Sequence, residues 1–215
     1  LGVARSANPK GYALFVMALL DDYETTGSTA SLQEAERLLV LLMELRSQGR
    51  WHGDCWGYQY PWQDLGFYAP SGTPNAVVTA FVCEAFLHAH AVTGRREYLD
   101  AVVSARRFFL QDLTVLKETD DEKCVAYMPL DMKMRVMDVS VLIASVLARL
   151  QQLGVDPDNG KEARRLCQFV INRQTQEGAW FYTDPPEDSP VKVDNYHTGF
   201  ILDAIKRTSE RLTTA

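Results

Sequence analysis

The chain has 215 residues, 47% of them apolar and 23% charged, with a formal net charge of −6. That length supports one domain with a substantial core, or two small ones, and the composition is that of an ordinary globular protein. There is no basic block to hold a nucleic-acid backbone, and the longest clean apolar run, Ala13 to Leu20, stops at Asp21 and Asp22, short of a membrane span. No nucleic-acid partner and no membrane span are therefore expected; oligomerisation is left open.

The chain opens at Leu1 with no targeting signal in view, so the expected compartment is the cytoplasm and the expected sequence a fragment. Cys55, Cys83, Cys124 and Cys167 lie far apart, with no C-x-x-C and no Cys/His pairing at zinc-finger spacing. Buried free thiols are expected, with no cofactor and no metal.

Apolar residues at helical spacing predict a first helix from about Pro9 to Tyr23, which Gly27 stops. Ser31 and Glu34 read as a capping box opening a second helix that runs to Gln48. Then comes an aromatic stretch from Trp51 to Asn75, WHGDCWGYQYPWQDLGFYAPSGTPN, whose Gly and Pro residues forbid a regular helix before Ser71. Pro74-Asn75 opens a third helix through Val92, apolar on most sides and so an inner helix. A fourth, from Glu97 to about Leu113, is amphipathic.

Lys117 to Lys123 reads as a charged, solvated turn, with Asp120-Asp121-Glu122 in it, and Cys124 to Pro129 as a short strand. A fifth helix (Val136 to Leu153) is apolar nearly all round, and a sixth (Lys161 to about Gln174) is amphipathic. A second aromatic loop, Gln176 to Asp194, carries Trp180, Phe181 and Tyr182 before a last helix that starts near Asn195.

Inner and outer helices thus alternate in hairpins that repeat about every sixty residues, at Asn75, Val136 and Asn195. Asn75-Ala-Val-Val-Thr79-Ala-Phe81 echoes Asn195-Tyr-His-Thr198-Gly-Phe200, and Gln48-Gly49-Arg50-Trp51 echoes Gln174-Thr-Gln-Glu-Gly178-Ala-Trp180. The long loops all precede inner helices. The expected fold class is all-α: helical hairpins forming an α/α toroid or an open part of one. About seven main helices make one domain over 1–215, lacking N-terminal hairpins.

Gln174-x-x-x-Gly178-x-Trp180 resembles the QW motif of terpenoid cyclases, and Asp194-Asn-Tyr196-His197-Thr198-x-Phe200 resembles the histidine-bearing segment of protein prenyltransferase β subunits. More of the chain is similar to a poorly characterised bacterial family found in polysaccharide-biosynthesis settings: Asn8-Pro-Lys-Gly-Tyr-Ala-Leu, Trp56-Gly-Tyr, Gly72-Thr-Pro-Asn75, Tyr98-Leu and Val193-Asp-Asn-Tyr-His-Thr-Gly199. These resemblances imply the toroid that six-hairpin glycosidases also adopt. They imply little about activity. The prenyltransferases bind zinc through Asp-x-Cys and a later His; here Asp54-Cys55 lacks the spacer. The Asp-rich segment of an acid-initiated cyclase has no good counterpart either.

Sugar chemistry in such a fold uses carboxylates or imidazoles for proton transfer and aromatic faces for stacking. The candidate catalytic residues are Asp54, Asp64, Asp194 and His197. The candidate substrate-binding residues are His52, Trp56, Tyr58, Trp62, Asn75, Trp180, Tyr182, Asn195 and Tyr196. For Trp51 and Trp180 the stronger reading is stacking of a loop on the preceding helix, and Asp64 and Asp194 have helix capping as the alternative role. The functional reading is a carbohydrate-active or carbohydrate-binding protein: a polysaccharide-processing hydrolase, lyase or epimerase, or a non-catalytic glycan-binding scaffold. Carboxylates that pair with Arg or backbone favour the scaffold.

Overall fold

A computed structural model describes residues 5–63 and 67–214. The chain divides into two compact units, Leu1–Phe108 and Phe109–Ala215.

In the first unit, α1 (Pro9–Thr26) packs on α2 (Thr29–Glu44) and on α3 (Ala76–Thr93), and α3 packs on α4 (Arg96–Arg107). Asn8 caps α1 by accepting the Gly11 N–H, and Pro9 sits where a missing N–H costs nothing. The second helix starts earlier than the capping box predicts. Ser28 is its N-cap, accepting the Ser31 N–H, while Glu34 turns forward to Arg37 instead of back to Ser31. Helix α3 carries thirteen buried residues among eighteen and is the one described helix long and apolar enough to cross a membrane. It is enclosed by protein, so its composition is that of a core helix. Gly94 ends it in the left-handed region (φ 70°), where its N–H reaches the His90 carbonyl. Two short strands, β1 (Trp62–Gln63) and β2 (Tyr68–Ala69), pair antiparallel within the aromatic loop.

A π-helical turn, Phe108–Asp112, follows α4, where a longer α-helix is predicted. In the second unit, β3 (Val115–Glu118) and β4 (Lys123–Val125) form a hairpin. The solvated turn of the sequence reading is the tip of this hairpin, Thr119 to Glu122, with its flanking residues drawn into the strands. Lys123 is buried and meets Glu162 at 2.7 Å, and Glu122 meets Lys117 at 2.7 Å and Arg173 at 3.3 Å. Mutual neutralisation is what lets these charges leave water. β5 (Arg135–Val136) leads straight into α5 (Met137–Gln152), which packs on α6 (Asp158–Ile171) and α7 (Asn195–Thr213). β5 pairs with β6 (Thr183–Asp184) from the loop before α7.

All four cysteines are buried and free. Desolvation pushes the Cys124 thiol up to about 12 and the Cys167 thiol to about 11, so neither is a nucleophile near neutral pH.

Candidate functional site

The second unit builds one constellation at the start of α7. Asp194 is the N-cap: extended backbone (φ −139°, ψ 157°) lets Oδ1 accept the His197 N–H at 2.8 Å. Its other oxygen, Oδ2, stands 2.6 Å from His197 Nδ1. An ionised carboxylate can only accept, so Nδ1 carries the proton and Nε2 is left as the acceptor. Desolvation works against the Asp194 charge, but the His197 N–H and imidazole outweigh it and hold the carboxyl below its usual range.

Tyr182 lies against the imidazole, ring centres 4.6 Å apart, and Tyr196 meets it edge-on at 5.4 Å. Phe200 backs Tyr196 at 4.5 Å. Tyr182 is positioned by the β5–β6 pairing and by the Met137 N–H, which donates to its carbonyl at 3.0 Å. The His197 and Asp194 side chains are 28% and 30% exposed, so a ligand can reach them. Asn195 is exposed in the first turn. The echo with α3 is one residue off: Asp194, not Asn195, matches Asn75, which puts Thr198 on Thr79 and Phe200 on Phe81.

One carboxylate near this site was missed. Asp138, in the first turn of α5 beside the residue that holds Tyr182, is only 5% exposed. A single acid within Val-Met-Asp-Val at the mouth of an inner helix was the available signal.

Three candidates, two in the first unit and Trp180 in the second, are core. Trp56 is fully buried, its indole N–H donating to the Leu42 carbonyl at 2.6 Å and its ring packed edge-on against Phe86. Its backbone N–H and C=O both engage the Thr79 hydroxyl, and its carbonyl also takes the Asn75 N–H. Asn75 is fully buried as the N-cap of α3, accepting the Val78 N–H at 2.8 Å. Trp180 is 3% exposed and donates to the Val170 carbonyl at 2.8 Å. None of these three presents a face to a ligand; each closes a loop onto helix. Trp56, and not Trp51, therefore does what Trp180 does.

Asp54 ion-pairs with Arg46 at 2.8 Å, and its backbone N–H donates to the Ser104 hydroxyl. Asp64 lies outside the described residues. Tyr58 stacks on Tyr60 at 5.3 Å and meets Trp62 edge-on at 5.4 Å, and Trp62 meets Phe67 at 4.9 Å, so the tip of the loop is an aromatic cluster. His52 is exposed, and its carbonyl accepts from Arg107 Nε at 2.8 Å. Between Arg46–Asp54 and the end of α4 opens a cavity of about 330 Å³. His88 meets Glu24 of α1 at 2.7 Å, and His90 bonds the Arg95 carbonyl.

No family model matches the chain, and no curated protein matches it either. Solved structures do. A GH76 α-mannanase from Bacteroides thetaiotaomicron superposes with a TM-score of 0.69 at 16% identity, over 99% of this chain and 56% of that one. A glycosyl hydrolase family 88 protein from Bacteroides vulgatus gives 0.69 at 12% identity, over 96% and 62%. A cellobiose 2-epimerase from Bacillus thermoamylovorans gives 0.60 at 15%, over 99% and 60%. The chain thus shares the all-α helical-hairpin fold of these structures. The chain spans a little over half the length of these structures.

Proposed function

We infer that the protein processes carbohydrate, with His197 as its proton-transfer group. The observation that carries this is the Asp194–His197 pair, a fixed imidazole with a reachable Nε2 beside two tyrosine rings. An imidazole held in one orientation can take or return a proton in a reaction. Tyrosine rings suit the apolar faces of a pyranose, and the mannanase, glycosyl hydrolase and epimerase with the same fold support a sugar as ligand.

Among the reaction classes, this site favours proton abstraction, as in an epimerase or lyase, over hydrolysis by a carboxylate pair. Asp54 is held by Arg46 and Asp194 by its own helix and imidazole, which leaves neither as a free acid. That same pairing is what favours a non-catalytic glycan-binding protein as the second reading.

The test is incubation of the protein with oligosaccharides and uronates, followed by NMR for epimerised or unsaturated products and by thermal shift for binding. Turnover that falls about 10²- to 10⁴-fold in His197→Ala supports the enzyme. Binding without turnover supports the scaffold, and no binding at millimolar sugar removes both.

A further inference from the structure

We propose that the cavity beside Asp54 in the first unit is an accessory binding site for a neutral sugar ring, separate from the His197 chemistry. Its walls are preorganised. The Asp54 N–H donates to Ser104 Oγ at 3.0 Å, Arg107 Nε donates to the His52 carbonyl at 2.8 Å, and the Ser47 N–H donates to the Cys55 carbonyl at 2.8 Å. Gly53 is pressed so close to α4 that a Cβ would stand 1.9 Å from the Ser104 carbonyl oxygen. A site fixed in this way loses little conformational freedom when it binds.

The chemistry on offer is that of a hydroxyl partner. Ser104 Oγ accepts two N–H groups, from Asp54 and from Arg107 Nη2, so its own proton is left to donate. Arg107 uses Nε and Nη2 within the protein, and no described residue accepts from Nη1. Asp54 meets Arg46 through Oδ2, which leaves Oδ1 as an acceptor. A sugar hydroxyl can accept from Ser104 or Arg107 while donating to Asp54. Trp51 adds a wall; its ring is fixed edge-on against Phe108 and its N–H bonds the Gln48 carbonyl.

Charge argues against a strongly anionic ligand. Arg46 is neutralised by Asp54, and Arg107 sits in the last turn of α4, where the helix dipole already offsets part of its charge. Two donors, one carboxylate oxygen and an aromatic wall in about 330 Å³ fit one neutral ring.

The experiment is a titration of the full chain with methyl glycosides of neutral hexoses and with the matching methyl uronosides. It is read by saturation-transfer NMR and by tryptophan fluorescence, to which Trp51 is the wall-side reporter. The expected result is millimolar binding of a neutral glycoside that weakens at least fivefold in Ser104→Ala and in Arg107→Gln. Unfolding midpoints of the variants identify any that fail to fold, and the second variant then decides. Tighter binding of the uronoside, or neutral-sugar binding unaltered in a folded variant, overturns the proposal. Failure here leaves His197 turnover intact, so the two readings fail separately.

Discussion

Both oxygens of Asp194 are spent on one residue: Oδ1 takes the backbone N–H of His197 and Oδ2 its imidazole Nδ1. The cap that starts α7 is therefore also the group that orients the candidate base. Asp194→Asn and Asp194→Ala separate the two roles. Asparagine still caps, so it is expected to keep the unfolding free energy within a few tenths of a kcal/mol, while alanine loses about 1 kcal/mol. Both are expected to lower turnover by about 10²-fold or more, since neither holds the imidazole in one tautomer. Urea titration beside a turnover assay checks both halves. Wild-type turnover in Asp194→Asn would reduce the pair to a helix cap.

The indole bonds of Trp56 and Trp180 are the next prediction. Each N–H satisfies a carbonyl near the end of the preceding outer helix, Leu42 on α2 and Val170 on α6. At Trp56, phenylalanine keeps much of the ring but strands the buried Leu42 carbonyl, which costs about 1–3 kcal/mol; at Trp180 the Val170 carbonyl keeps the Arg173 N–H, so the same change costs less. Alanine adds a cavity, for a total of about 3–5 kcal/mol. Denaturant unfolding of the four variants measures this, with Trp56→Phe expected to cost more than Trp180→Phe. A near-neutral Trp56→Phe would show that the bond adds nothing to packing.

How far the sequence carried follows from these same residues. Hairpin order and inner versus outer helices were legible, because apolar periodicity and Gly stops are local signals: Gly27 and Gly94 end α1 and α3 as expected. What failed depended on contacts distant in sequence. Trp56 and Trp51 look alike in the chain, and only the bond to Leu42, fourteen residues back, tells them apart. Asp54 looks catalytic until Arg46 is seen against it. Asn75 read as a site residue because a helix cap and a polar ligand group have the same composition. The His197 environment was half legible, its partner being three residues away and its Tyr182 neighbour fixed only by the β5–β6 pairing.

Close approach of backbone gives a third prediction. A Cβ on Gly53 would lie 1.9 Å from the Ser104 carbonyl oxygen, and one on Gly57 would lie 1.8 Å from the Thr73 carbonyl oxygen. Neither neighbour is a flexible side-chain end, so the loop itself must move. Gly53→Ala and Gly57→Ala are each expected to destabilise by about 2 kcal/mol or more. Gly72→Ala, where nothing stands within 4 Å but φ is +77°, should cost only about 1 kcal/mol of backbone strain. Thermal unfolding ranks the three, and Gly72→Ala as the worst would contradict the crowding argument.

The ionic network around Glu122 sets a pH dependence with a definite sign. Desolvation raises the Glu122 carboxyl, but Lys117, Asn172 and Arg173 more than reverse this and hold it at about 2, against an ordinary value of 4.5. A carboxyl lowered on folding stabilises the protein above its unfolded value, and the contribution is lost as pH falls through the folded one. The window is thus about 4.5 down to about 2. After solvent screening the contribution is on the order of 2 kcal/mol. Glu122→Gln is expected to be less stable than wild type by that amount at pH 7, with the gap narrowing below pH 4.5 and closing near pH 2. Urea unfolding at several pH values reads the gap directly. A gap that stays constant from neutral to acid pH would mean the glutamate acts by shape and hydrogen bonding, and not by its charge.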